Sequence, residues 1–249
     1  MKKFLLSLVA LALSCGAFAS APVYQWSKLI DSHLQQDLVS KVVVTTDGNI
    51  VSLAHFGSSS DTDGIEFDGV QIATGSATTS SSDNRNLLII KHNAATGERM
   101  WNIYSKAGYI DVSSEGSIIA TRDGGLLLLL NARSAQVSPF TSPMIVDATG
   151  AEIEFPEWNT SVAIYNQILL KVAFDGRVEW AKSIAMDQLP VPNASSGNSV
   201  NATTNGVSPY ALAEDEEGNI YIGGNYRASM ILTAHLNATY VFTPRNIDT

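Results

Sequence analysis

A single cysteine in 249 residues, Cys15, forbids any internal disulfide and any zinc site built on several thiolates. Basic residues are also scarce. Lys plus Arg number 15 against 24 Asp plus Glu, a formal charge of -9. That balance excludes the basic patch that nucleic-acid phosphates demand, and the polybasic face of a membrane-surface protein. After the first nineteen residues no apolar run approaches the roughly 18 residues of a membrane-spanning helix. The longest, residues 126–130, has the length of a strand. Extended windows of 3.6-residue periodicity with capping residues are missing too, and residues 24–38 are the best helical candidate. No G-x-S-x-G elbow, Walker A loop, dinucleotide G-x-G-x-x-G, H-E-x-x-H or C-x-x-C is found. These absences count against several enzyme classes without excluding catalysis assembled from distant loops.

The N-terminus reads MKKFLLSLVALALSCGAFA: two lysines, an apolar stretch and a small-residue A-F-A ending. This is the layout of a secretory signal peptide over residues 1–19, with cleavage after Ala19. A second reading puts a lipid anchor at Cys15, although Ala12 stands where a lipobox prefers leucine. Cleavage removes Lys2, Lys3 and Cys15 and leaves 13 basic against 24 acidic residues, a charge of -11. The expected product is secreted, held at the cell surface or periplasmic. It would cohere by packing and hydrogen bonds alone, without disulfides.

Self-similarity dominates what remains. Trp26, Trp101 and Trp180 are spaced by 75 and 79 residues and begin the similar segments WSKLI, WNIYS and WAKSI. Tight-turn signals follow as VVTTDGNIVSL, IATRDGGLLLL and AEDEEGNIYIG. Glycine in these turns supplies the positive φ that short hairpins require. A further hairpin precedes the second and third tryptophans, LIIKHNAATGERMW and LLKVAFDGRVEW, in which Lys91 matches Lys171 and Gly97 matches Gly176. Between these signals lie apolar runs of strand length. The expected fold is all-β, with units at about 26–100, 101–179 and 180–249, each of the full units carrying about four strands. Two polar stretches, residues 76–84 and 190–209, read as surface loops.

The unit resembles the SBBP and quinoprotein-like β-propeller repeats of exported bacterial proteins. The likeness is carried by Asp47-Gly48-Asn49-Ile50-Val51 through Phe56, and by the phenylalanine strand around Phe67. It continues through Asn86 to Lys91, on through Gly97 to Trp101, and in Glu217-Gly218-Asn219-Ile220-Tyr221-Ile222-Gly223. In the second unit, residues 145–150 and 153–155 substitute for the phenylalanine strand. The resemblance implies two full blades and part of a third, an incomplete ring, because propellers close with four to eight blades. It further implies that the missing blades are encoded downstream in the same polypeptide, and that the repeat tryptophans pack between blades.

Candidate functional residues are few. Asp61, Asp63 and Asp68 gather oxygen ligands that would suit Ca²⁺, without the full pattern of an EF-hand. The leading expectation is that no cofactor is bound, with Ca²⁺ at these three residues as the alternative. Trp158, outside the repeated pattern, is the candidate binding aromatic for a protein or glycan ligand. The acidic run at residues 214–217 reads as a solvated hairpin turn, and His33, His55, His92 and His235 as strand-edge or surface residues without metal-ligand spacing. The functional expectation is a non-catalytic binding or interaction scaffold of a bacterial cell surface. A carbohydrate-active or quinone-dependent enzyme on the same architecture, and a structural segment of a larger secreted protein, are the alternatives.

Overall fold

The computed structural model describes residues 25–31, 38–56, 64–74, 86–112, 118–133, 142–155, 166–186, 207–226, 230–234 and 239–242. Every regular element among them is a β-strand, and residues 25–31 of the helical candidate are extended or coil. In chain order, β1 (Ile30–Asp31), β2 (Leu38–Val44) and β3 (Ile50–Phe56) precede the hairpin β4 (Gly64–Phe67) and β5 (Val70–Thr74). Then come β6 (Asn86–His92), β7 (Arg99–Ala107), β8 (Tyr109–Val112), β9 (Ile118–Ala120) and β10 (Leu126–Arg133). A second hairpin, β11 (Met144–Val146) and β12 (Glu152–Glu154), leads to β13 (Asn166–Val172) and β14 (Val178–Met186). The last described strands are β15 (Val207–Glu214), β16 (Ile220–Tyr226), β17 (Met230–Ala234) and β18 (Thr239–Phe242).

All pairings are antiparallel, and none of the four sheets closes on itself. The second sheet has the order β12-β11-β7-β6-β3-β2, and the third β18-β17-β14-β13-β10-β8 with β9 also on β10. Each therefore contains a four-strand meander, β2-β3-β6-β7 in one and β8/β9-β10-β13-β14 in the other. The hairpin that interrupts each meander does not stay with it. It pairs instead with the preceding tryptophan-bearing segment: β4 on β1, β11 on β7, and in the same manner β17 on β14. The segment 145–155 thus holds the same position relative to β7 as the Phe67 hairpin does to β1.

Turn chemistry explains the hairpins. At Thr45, Thr121, Asp147, Ala173 and Asp215 the first residue donates its N–H to the carbonyl of the fifth, and the fourth, a glycine, donates back to the first. The arrangement is a type I turn closed by a left-handed residue. The turn at Asn93 contains one residue more.

Stacking of the sheets explains the unbroken apolar runs. In β6, Leu87 and Ile89 belong to the main core between the second and third sheets, while Leu88 and Ile90 pack with Phe56, Ile65 and Phe67 against the β1-β4-β5 sheet. In β10, Leu126, Leu128 and Leu130 face the main core; Leu127 and Leu129 face Leu212 of β15 on the other side. A strand covered on both faces gains from apolar residues at every position, so period-2 alternation disappears. Burying each such side chain contributes about 1.5–3 kcal/mol.

Candidate functional site

The side chains that carry charge or hydrogen-bonding capacity into the interior are concentrated where one sheet grips the next. Lys91, 1% exposed, lies in β6 opposite Val51 and donates to Asp47 Oδ2 at 2.8 Å. Lys171, likewise buried, lies in β13 opposite Leu127 and donates to both carboxylate oxygens of Asp123 at 2.8 and 2.7 Å. Each aspartate also accepts a threonine hydroxyl from its own turn, from Thr45 and Thr121 respectively. Burial works to raise the carboxyl pKa values, but the ammonium, hydroxyl and backbone donors outweigh it. Asp47 is held well below the usual carboxylate range, and Asp123 is lowered to about 2.

The tryptophans make a second link of matching form. Trp26 donates its indole N–H to Ala94 O at 2.9 Å, and Trp101 donates to Phe174 O at 3.1 Å. Each ring lies against the glycine of the turn it reaches. A Cβ at Gly97 would stand 2.6 Å from Trp26 Cδ2, and one at Gly176 would stand 2.8 Å from Trp101 Cδ2. The 173–177 turn is gripped from further sides: Ala148 N–H donates to Gly176 O, Asp147 Oδ2 accepts from Val178 N–H, and Lys91 reaches Phe174 O at 3.4 Å. Asp147, four of whose hydrogen bonds come from Thr149, Ala151 and Val178, has its pKa lowered against the opposing effect of burial.

The histidine expectation needs correction at two positions, since His55 and His92 are both buried within strands. His92 sits in a box formed by Trp26, with centroids 6.0 Å apart, and Phe67, at 5.5 Å. Its Nε2 is 2.6 Å from Ser52 Oγ. Burial holds its pKa below the ordinary value, assisted by the nearby Lys28; the Gly97 backbone and Asp68 act in the opposite direction. The misreading has a physical source: β3 and β6 are both covered on two faces, so even their polar residues are interior. His33 and His235 lie outside the described residues.

Of the candidate calcium ligands, Asp68 occupies the two-residue turn between β4 and β5, with φ of 50° followed by 76° at Gly69. Its carboxylate accepts from Lys28 Nζ at 2.5 Å and from Leu29 N–H at 3.1 Å, which fastens the hairpin to β1 and lowers its pKa. Asp61, Asp63 and the candidate aromatic Trp158 lie outside the described residues, as does Cys15. Among the described residues no group of three or more His, Cys, Asp or Glu is placed to hold a metal ion, and no helix is long and apolar enough to cross a membrane. The acidic run is part of the β15–β16 turn. There Glu214 accepts from Arg122 N–H, and the Arg122 guanidinium donates to Glu216 O, so the run joins the third sheet to the fourth. Sequence matching had marked Lys91, Lys171, Gly97 and Gly176 as equivalent, but their partners Asp47, Asp123, Trp26 and Trp101, 44 to 75 residues distant, carried no local signal.

Fold and contacts together define an all-β protein of antiparallel sheets packed face to face, with a Lys–Asp pair inside each four-strand meander and tryptophan–turn contacts linking each meander to the segment before it. No protein-family model, curated protein or solved structure matches the chain.

Proposed function

We propose that the chain is an exported, non-catalytic scaffold of β-propeller type that binds a protein or glycan at or outside the bacterial cell surface. The observation that carries this reading is the recurrence of one coupling, Trp26 on Gly97 and Trp101 on Gly176, which ties each four-strand meander to the preceding tryptophan-bearing segment in the same way. Identical coupling between successive elements is what a repeat architecture uses to stack its units. The two buried lysines and the aspartates of the turns also favour a scaffold. Lys91, Lys171, Asp47, Asp123 and Asp147 are each engaged by partners that fix turns or join sheets, which is a structural use of charge. The acidic balance and the 1–19 leader support export.

Expression of the full chain in a Gram-negative host, followed by fractionation and intact mass, tests the export half. The expected product lacks residues 1–19 and lies outside the cytoplasm; a full-length cytoplasmic product would overturn it. Affinity electrophoresis against a polysaccharide panel, alongside assays for glycan cleavage and for dye reduction with quinone and Ca²⁺, tests the other half. Retardation without turnover is expected, and steady turnover in either assay would replace the scaffold with an enzyme.

A further inference from the structure

Four Asp–Gly steps lie wholly among the described residues, at Asp47, Asp68, Asp123 and Asp175. At such a step a chain can rearrange on its own, because glycine has no side chain to hinder its amide nitrogen from closing on the carboxyl carbon before it. Three of the steps occupy turns of one design, residues 45–49, 121–125 and 173–177. In these the glycine has nearly the same φ, 79°, 85° and 86°, and its N–H donates to the carbonyl of the first turn residue at 2.9, 3.0 and 3.0 Å. The attacking nitrogen is therefore held alike in all three, and the carboxyl group is what differs.

Asp47 and Asp123 are each tied down by three kinds of donor. The first turn residue gives a hydroxyl, from Thr45 at 2.5 Å and Thr121 at 2.6 Å; the fifth gives a backbone N–H, from Asn49 at 3.2 Å and Gly125 at 3.0 Å. The buried Lys91 and Lys171 give the third, an ammonium. Asp175 keeps only the backbone bond, from Arg177 N–H at 3.1 Å. Its turn begins with Ala173, which has no hydroxyl, and no ammonium reaches it among the described residues. The Arg177 guanidinium is turned to Glu179 at 3.8 Å, and Asp175 itself is exposed. In the fourth step, Asp68 is fastened by Lys28 and by Leu29 N–H.

We infer that Asp175 is the site at which this chain forms isoaspartate. The Gly176 nitrogen attacks Asp175 Cγ and gives up its proton, a carboxyl oxygen leaves as water, and a five-membered succinimide joins the two residues. Water then opens the ring at the main-chain carbonyl of Asp175. That carbonyl becomes a free carboxylate, and the main chain now runs through Cβ and Cγ. Reaction at Asp47 or Asp123 must first release the lysine, because a carboxylate held ionised is a poor electrophile; giving up one charge-assisted hydrogen bond slows it by at least about tenfold. At Asp175 the extra methylene enters a turn whose Phe174 O accepts from Trp101 and Lys91 and whose Gly176 O accepts from Ala148 N–H, so the product grips β7 less firmly. Neither export nor ligand binding enters this chemistry, and either reading can fail alone.

The full chain, held at body temperature and neutral pH for weeks, is digested with trypsin and read by electron-transfer fragmentation, which separates isoaspartate from aspartate; the fragment 172–177 carries the site. Conversion at Asp175 is expected to exceed that at Asp47 and Asp123 by at least about tenfold, and a parallel sample in concentrated urea is expected to level the differences. Ala173→Thr, which copies the other two turns, should slow conversion at Asp175. Lys171→Met should speed it at Asp123 and leave Asp175 unchanged. Equal conversion at Asp175 and Asp123 in the folded chain, or none at Asp175 where urea permits it, overturns the assignment. Variants that leave the rates at both sites unchanged would overturn the cause given for it.

Discussion

Substituting Gly176 by alanine separates the two demands that a turn glycine can meet. Gly48 and Gly176 have almost the same backbone, with φ of 79° and 86°. Around Gly48 a Cβ would find nothing within 4 Å; at Gly176 it would stand 2.6 Å from Ala148 Cβ and 2.8 Å from Trp101 Cδ2. The left-handed conformation costs a Cβ-bearing residue about 1–2 kcal/mol, and that is the whole expected effect of Gly48→Ala. Gly176→Ala adds the cost of an extra methyl in a packed contact, about 1–3 kcal/mol, for a total of about 2–5 kcal/mol. The indole cannot withdraw cheaply, because its N–H is bound to Phe174 O at 3.1 Å. Urea unfolding followed by tryptophan emission measures both variants, and comparison of midpoints at unchanged slope gives the difference. If the two variants unfold within about 0.5 kcal/mol of each other, the usual scale of a neutral surface change, Trp101 does not clamp this turn and the coupling between meanders has been misassigned.

The Lys171–Asp123 pair should respond asymmetrically. Lys171 is 7% exposed, whereas the Asp123 side chain is 57% exposed. Asp123→Ala therefore strands a buried ammonium and is expected to cost about 1.5–3 kcal/mol. Lys171→Met leaves a carboxylate that water can reach, so it is expected to cost less than half as much by the same urea assay; equal losses would refute the asymmetry. Because the Asp123 pKa is lowered from 3.8 to about 2, the unfolded chain takes up the proton first. The stability this carboxylate contributes is thus present above pH 3.8 and lost as pH falls through about 2, and Asp123→Asn should flatten the acid limb of the unfolding curve in that window. At His92 the folded pKa lies below 6.5, so protonation favours release of the β1-β4-β5 sheet, and stability falls as pH drops below 6.5. The paired variant Ser52→Ala with His92→Val, valine being the residue at the matching register of β13, should remove that dependence. Persistence of the slope below pH 6.5 would place the titration elsewhere.

What could be read from the sequence follows the distance over which each cause acts. The Asp-Gly turn signals predict tight turns at Asp47, Asp123 and Glu217, and hairpins form there because a left-handed residue is a local demand that glycine alone meets without strain. The runs at residues 87–90 and 126–130 predict strands, and strands form there with both faces covered by neighbouring sheets. Lys91 matched Lys171, yet nothing local assigns them to Asp47 and Asp123, because each ion pair forms only after another strand has been laid between lysine and turn. The tryptophans show the limit most clearly. WSKLI, WNIYS and WAKSI look alike in sequence, but Trp26 precedes a two-residue strand whereas Trp101 and Trp180 lie within nine-residue strands. Their shared role is not the strand that each begins. For Trp26 and Trp101 it is the surface offered to a turn glycine 71 and 75 residues later in the chain, and a residue chosen for a distant partner leaves only its own recurrence as a signal.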